Sequence, residues 1–294
     1  MLLNLQPNAQ RPARVVVLGA GGFIGGAIVR RLQADGIPTL ALDLPALDLL
    51  ALEAASQLAA RLHATDTLIF ISARAPCKDH AMLLDNLRMA DAVCGALRRQ
   101  PVAHLVYQSS DAVYRDLREP MTEAACAEPG TLHGLMHLAR EVMLKNAFAG
   151  PLTFIRPTLV YGAEDPHNGY GPNRFRRLAA AGQEIVLFGE GEELRDHVFV
   201  GDLAELARLV VLHRSVGIVN AATAEVASFR QLAEFTAAQY PTRVAVKGSP
   251  RSGPMPHGGY RAFAPSAALS AFPQFRFTPW RDGLARVCAQ APAS

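Results

Sequence analysis

The feature that most constrains this chain is a turn of glycines set between a strand and a helix. RVVVLG over 14–19 is a β-branched apolar run of the kind buried in a sheet. Gly19-Ala20-Gly21-Gly22-Phe23-Ile24-Gly25 follows directly, and residues 22–35 then carry apolar side chains at helical spacing as far as Asp35-Gly36, a helix stop. Glycines there let the backbone turn sharply and approach a pyrophosphate. The helix start adds unpaired N–H groups and the positive end of its dipole. Asp43 closes the next strand (TLALD, 39–43), where a carboxylate can accept hydrogen bonds from an adenosine ribose. The same charge repels a 2′-phosphate and so favours NAD over NADP. A turn needed only for packing would leave Asp43 unexplained. Gly19, Gly22, Phe23, Ile24, Gly25 and Asp43 are therefore the candidate cofactor residues, with Ala73 just past the third strand.

The rest of the first half keeps the same rhythm. TLIFIS (67–72), HLVYQSS (104–110) and LTFIRP (152–157) read as strands, and 81–99 and 133–148 as helices. Strands alternating with helices pair in parallel, because the crossovers cover both sheet faces. The expected fold is α/β: a Rossmann-type, doubly wound parallel sheet over 13–162, preceded by a loose arm over 1–12 and followed by a smaller, loop-rich substrate lobe over 163–294. GIVNAA (217–222) reads as a strand able to return to the main sheet, and 248–260, with three Pro and four Gly, as irregular.

Composition removes other classes. Half the residues are hydrophobic and 19% charged, too apolar for disorder. The net charge of +3 is the difference between 29 basic and 26 acidic residues. The Arg-Arg pairs at 30–31, 98–99 and 176–177 read as solvated helix faces, so no nucleic acid is expected. No apolar run reaches the roughly 18 residues of a membrane helix. Cys77, Cys94, Cys126 and Cys288 form no CxxC and are expected as reduced thiols. A soluble, cytoplasmic protein without a metal site is expected.

Several further segments, taken in order, make the chain resemble the extended short-chain dehydrogenase/reductase family, which includes nucleotide-sugar epimerases and dehydratases. Gly19, Gly22 and Gly25 match its GxxGxxG. Ser109-Ser110-Asp111-Ala112-Val113-Tyr114 is similar to its SSxxVYG, with Arg115 in place of the last glycine. Glu123 and Pro129 match the acidic and proline positions of the next loop. Arg156 to Gly162 resembles RPxxVYG, and Arg195 to Asp202 resembles RDxVxVxD. The resemblance implies that Ser110 hydrogen-bonds the reacting sugar oxygen, with Asp111 beside it, and that Arg195 grips the substrate diphosphate. The residue-level alternatives are a strand-end hydroxyl serving its own backbone for Ser110 and an ion pair with Asp196 or a nearby Glu for Arg195. Asp48-Leu49 is a candidate for the family's adenine-contacting pair.

One departure matters most. The family's Tyr-x-x-x-Lys is replaced by His133 and His137, and no lysine (Lys78, Lys145, Lys247) lies four residues after a tyrosine. A phenol of pKa ~10 needs a neighbouring cation to act as a base near neutrality, whereas an imidazole titrating near ~6.5 does not. The two replacements therefore make sense together. The resemblance implies an NAD-dependent nucleotide-sugar epimerase or dehydrogenase/reductase in which His133 moves the proton, Ser110 orients the oxygen and His137 offers an N–H to the nicotinamide ribose. The alternatives are a catalytically inactive NAD(H)-binding sensor or scaffold, and metal binding by the two imidazoles. Ala112 in place of the family's Glu weakens dehydration. A homodimer through 81–99 and 133–148 is expected by analogy, with Met136, Met143 and Leu144 as candidate contact residues.

Overall fold

The computed structural model describes residues 2–290. The first half runs β1 (Leu2–Asn4), β2 (Arg14–Leu18), α1 (Phe23–Ala34), β3 (Thr39–Leu42), α2 (Ala54–Ala59), β4 (Asp66–Phe70), α3 (His80–Arg99), β5 (His104–Gln108), α4 (Leu132–Ala147) and β6 (Leu152–Pro157). The second half adds β7 (Leu159–Tyr161), α5 (Pro172–Ala180), β8 (Ile185–Phe188), β9 (Leu194–Phe199), α6 (Val200–Leu212), β10 (Ser215–Ala221), β11 (Val226–Ser228) and α7 (Phe229–Ala237). It ends with β12 (Val246–Ser249), β13 (Tyr260–Arg261), α8 (Ser266–Ala271) and α9 (Trp280–Ala289).

Seven strands form the central sheet in the order β1-β10-β6-β5-β4-β2-β3, with every pairing parallel except that of β1. Side chains alternate across it, so β2 sends Val15 and Val17 into one core and Val16 and Leu18 into the other. The first core is closed by α1, α6 and α8 through Ile28, Leu32, Val210 and Ala268, the second by α2, α3 and α4 through Leu58, Leu97 and Leu144. The chain leaves β2 for β3 on one side and returns to β4 on the other. That reversal opens a crevice at the carboxyl ends of β2 and β4, where ligands bind in doubly wound sheets. The second half builds a smaller layer over that end: β7 and β13 parallel and β11 antiparallel to β9, a separate β8–β12 pair, and a third core around Tyr161, Phe175, Phe229 and Trp280.

Three expectations need correction. Residues 2–4, expected in a loose arm, form an edge strand antiparallel to β10, with Leu2 opposite Gly217. Gln6 and Gln10 extend the attachment by donating backbone N–H groups to His213 and Leu212. Without β1, β10 would expose a free sheet edge, and the apolar Leu2 gives the covering segment something to bury. Arg176 is buried rather than solvated and donates Nη2–H to the Ala163 carbonyl at 2.8 Å. Met136 and Leu144 are fully buried in their own subunit and offer nothing to a partner; the exposed apolar residues of these two helices are Leu84, Leu135 and Val142.

Candidate active site

The glycine turn is built by crowding. Gly19 has φ +88°, a left-handed conformation that side chains resist, and a Cβ there would stand 2.7 Å from the Ser72 nitrogen at the end of β4. A Cβ on Gly25 would collide with the Gly19 carbonyl oxygen and lie 2.8 Å from its carbon. A Cβ on Gly21 would collide with the Asp43 carboxylate. The first turn of α1 has no side-chain cap and no acidic residue, so its N–H groups and dipole are free for an anion. Gly19, Gly22, Phe23, Ile24, Gly25, Asp43 and Ala73 all line one cleft of about 970 Å³. Asp48 and Leu49 line it too, held in an Asx turn in which Asp48 accepts the Leu50 N–H at 2.9 Å. These residues fit a dinucleotide: a close-approach glycine cradle for the pyrophosphate and a carboxylate where a ribose would lie.

The floor of the cleft is a polar network at the ends of β5 and β6. Glu141 on α4 accepts Ser109 Oγ–H at 2.6 Å and the Nε–H and Nη2–H of buried Arg156, at 2.9 and 2.5 Å. This ties α4 to both strands. Ser110 accepts the Ala112 N–H at 3.1 Å, capping a one-turn 3-10 helix at 111–113, and its hydroxyl faces Asp111 Oδ1 at 3.3 Å. Ser110 thus serves its own backbone while lining the cleft. Gly134 brings α4 against that turn, since a Cβ there would collide with the Ala112 carbonyl oxygen. Asp111 is buried and held by Arg261 Nε–H at 2.9 Å.

His133 and His137 sit on the cleft side of α4, their rings edge-on with centroids 4.7 Å apart. Burial, and then the neighbouring ring and Arg140, hold His137 well below the usual imidazole range. Burial also lowers His133, against the pull of Asp111. Both rings are therefore neutral near pH 7. Tyr107, pushed up to about 12 by burial, remains a phenol; with Arg140 close to its oxygen, it donates O–H to His137 Nδ1 at 2.8 Å. That leaves the His137 proton on Nε2. The Cys77 N–H donates to His133 Nδ1 at 3.4 Å, which places the proton of that neutral ring on Nε2 as well.

The smaller lobe closes the other side with Arg195, His197 and His257. Arg195 pairs with Glu193 at 3.0 Å rather than with Asp196. Asp196 is buried and accepts N–H and O–H groups of Thr223 and the O–H of Thr158 at 2.9–3.1 Å. It is structural.

Residues 15–222 match the NAD dependent epimerase/dehydratase family. The chain belongs to that family. Among curated relatives, this family member is 29% identical over 231 residues to the UDP-glucose 4-epimerase of Mycolicibacterium smegmatis, covering 65% of this chain and 71% of that one. It is also 27% identical over 267 residues to the dTDP-4-dehydro-6-deoxy-D-allose reductase of Streptomyces bikiniensis, covering 76% and 80%. Its fold is that of the Thermus thermophilus UDP-glucose 4-epimerase in complex with NAD (TM-score 0.81, 23% identity, 94% and 97% covered). The Bacillus cereus UDP-N-acetylglucosamine 4-epimerase is similar (0.79, 17%, 94% and 95%).

Sequence reasoning missed one feature of this family member's cleft. His257 lines the cleft with Nδ1 2.6 Å from Asp116 Oδ1. The two residues are 141 positions apart, and no motif joins them. The only local signal was the His257-Gly258-Gly259 run inside an irregular segment.

Proposed function

We propose that this protein is an NAD-dependent epimerase or reductase working at the carbinol or carbonyl carbon of a nucleotide-bound sugar, with His133 as the proton-exchanging group. One observation carries the reading: two neutral imidazoles stand side by side on the wall of the cleft that also holds the glycine turn, where the family pattern has Tyr and Lys. NAD, when bound, supplies the acceptor and donor of the hydride. The turn from Gly19 to Gly25 holds its pyrophosphate and Asp43 its adenosine ribose. His137, whose Nδ1 is occupied by Tyr107, presents Nε2–H to a ribose hydroxyl. On the other side Arg195 supplies a forked cation for the substrate diphosphate.

His133 meets the sugar oxygen through Nε2. In the neutral ring that nitrogen carries the proton and donates to a carbonyl oxygen. To take a proton from a carbinol, the ring shifts its own proton to Nδ1, which breaks the contact from Cys77. At 3.4 Å that contact is weak, and its loss costs ~1 kcal/mol or less. The imidazolium formed is steadied by Asp111, the acidic group whose charge raises the His133 pKa.

The test is to incubate the protein with NAD and UDP-, GDP- and dTDP-sugars and follow NADH absorbance and sugar identity in wild type and His133→Phe. We expect turnover that falls about 100-fold or more in the variant; in the wild type, burial lowers the His133 ring, so the acid limb of the pH profile should lie below the ordinary imidazole value of ~6.5. Turnover preserved in His133→Phe refutes the assignment. The local engagement of Ser110 by Ala112 and Asp111 favours a second reading, a non-catalytic NAD(H)-binding protein, which predicts tight cofactor binding with no turnover on any of these sugars.

A further inference from the structure

His133 and His257 both line the cavity, and the ring nitrogen that each leaves without a hydrogen bond among the described residues is Nε2, yet the two differ in chemistry. The Cys77 N–H makes His133 an Nε2–H donor. The Asp116 carboxylate can only accept, so at 2.6 Å the His257 proton lies on Nδ1 and its Nε2 carries a lone pair. That nitrogen makes no hydrogen bond among the described residues, and the side chain is a quarter exposed within the cleft.

The His257 site is built, and not a chance surface contact. Arg261 is buried, and its guanidinium joins Asp116 to Asp111, the neighbour of Ser110, while also contacting His257 Nδ1 at 3.4 Å. The ring is thereby wired to the strand end that carries the reactive-oxygen site. His257 itself has φ 55° and ψ 26°, followed by Gly258 and Gly259 at φ 59° and 83°. A non-glycine residue held in the left-handed region is strained, and such strain gathers at functional positions. The charged groups facing the ring are Asp116 from the loop after the 3-10 turn, Arg261 from β13 and Arg195 from β9. Burial and the two arginines lower its pKa against Asp116, so the ring is neutral and basic near pH 7.

We propose that the His257–Asp116 dyad is a second proton-transfer group, one that takes a proton from the carbon next to the carbonyl of a nucleotide-bound keto sugar. The inference rests on the nucleotide-sugar reading above. Exchange at a carbinol uses one proton-transfer group; a second base of opposite tautomer is suited to a second labile proton. In a keto sugar that is the α C–H. The step balances without a cofactor. The C–H bond breaks and its electron pair forms the enolate C=C. The carbonyl π pair moves to oxygen, which accepts hydrogen bonds from His133 Nε2–H and Ser110 O–H. The proton forms the His257 Nε2–H bond, with Asp116 opposite the imidazolium charge. Return of the proton from His257 Nε2 to the same face restores the keto sugar, and exchange of that proton with solvent in between labels the carbon.

The experiment is solvent exchange. The full chain, without added NAD, is incubated in deuterium oxide with a dTDP-4-keto-6-deoxyhexose, and deuterium at the α carbons is read by mass spectrometry and NMR. Wild type should incorporate deuterium well above a protein-free blank. His257→Gln should reduce the rate about 100-fold and Asp116→Asn about 10-fold or more. No exchange in the wild type, or exchange in His257→Gln within a few-fold of wild type, overturns the proposal. Long-range 1H–15N spectra of the wild type give an answer independent of the variants: a His257 ring protonated on Nε2 near neutral pH overturns it as well. The parent reading is judged separately by NAD-linked turnover, read as a changed sugar or a change in NADH absorbance. Exchange without NAD-linked turnover refutes that reading alone, and turnover without exchange refutes the dyad alone.

Discussion

Acidification should unfold this protein through two histidines that have nothing to do with its cleft chemistry in one case and line it in the other. His104 in β5 donates Nε2–H to the Ser215 carbonyl at 2.8 Å, and its buried Nδ1 has no partner among the described residues. His197 in β9 donates Nδ1–H to the Arg195 carbonyl at 3.2 Å, and its buried Nε2 has none among them either. A second proton on either ring would be an N–H aimed at nothing, so burial lowers His104 to about 4 and His197 to about 3 from the ordinary 6.5. Depressed imidazoles stabilise the fold above the unfolded value and lose that contribution as pH falls from 6.5 toward their folded values. At ~1.4 kcal/mol per unit, each ring removes roughly 3 kcal/mol by about pH 4. Asp196 works in the opposite sense: burial raises it to about 6 from 3.8, so its protonation over that interval restores roughly 2 kcal/mol. For these three groups the net loss is roughly 4 kcal/mol, a large part of a typical domain's stability, and the lowered His133, His137 and His257 act in the same direction. Urea unfolding followed by circular dichroism near pH 7 and near pH 4 measures it. In His104→Gln, which keeps a donor for the Ser215 carbonyl, the loss should be about 3 kcal/mol smaller than in the wild type. Subtracting variant from wild type cancels the surface carboxylates common to both. An identical acid dependence in the two proteins would refute the argument.

Two other predictions bear on the cofactor side. Gly25→Ala forces its Cβ into the Gly19 carbonyl and should weaken NAD at least 10-fold, with a stability cost of about 1–3 kcal/mol from overpacking; fluorescence titration with NADH and a thermal melt measure both, and unchanged affinity contradicts the cradle. Asp43→Ala removes the charge facing a 2′-phosphate and should cut the preference for NAD over NADP about 10-fold or more, read from the ratio of the two dissociation constants.

What the residues disclosed before any coordinates was local. The strand, glycine turn, helix and acid lie within 30 consecutive positions (14–43), and backbone sterics alone relate them. The ordered later motifs extend this, while the tie that Glu141 makes to Ser109 and Arg156 emerges only in the fold. Features made by long-range closure were hidden. The edge strand β1 depends on β10 more than 200 residues away, and the burial of Arg176 depends on a carbonyl in a loop. The choice of Glu193 as partner for Arg195 rests on strand geometry, because a residue two positions away shares a sheet face and the adjacent Asp196 points across it. His257 and Asp116 meet across 141 positions, and Arg261 from β13 bridges Asp116 to Asp111.

The surroundings of α4 explain why the two histidines replaced their family counterparts together, and predict what reversal would do. A lysine at 137 would place an ammonium in a fully buried site beside Arg140, with the Tyr107 oxygen in contact and the cofactor face open. Paired with His133 it would lower that ring's pKa further by repulsion and serve no purpose, because an imidazole needs no cation to lose its proton near neutrality. Paired with a tyrosine at 133 the same ammonium would pull the phenol down toward neutrality. His137→Lys alone should therefore be the worst of the set, destabilised by about 3 kcal/mol or more as an uncompensated buried charge. The double substitution His133→Tyr/His137→Lys should recover part of that stability once NAD is bound, since a ribose hydroxyl then accepts from the ammonium. Thermal melts with and without NAD measure this. If the single variant is as stable as wild type, the environment around His137 is less dry than its packing indicates, and the electrostatic account of the paired replacement is wrong.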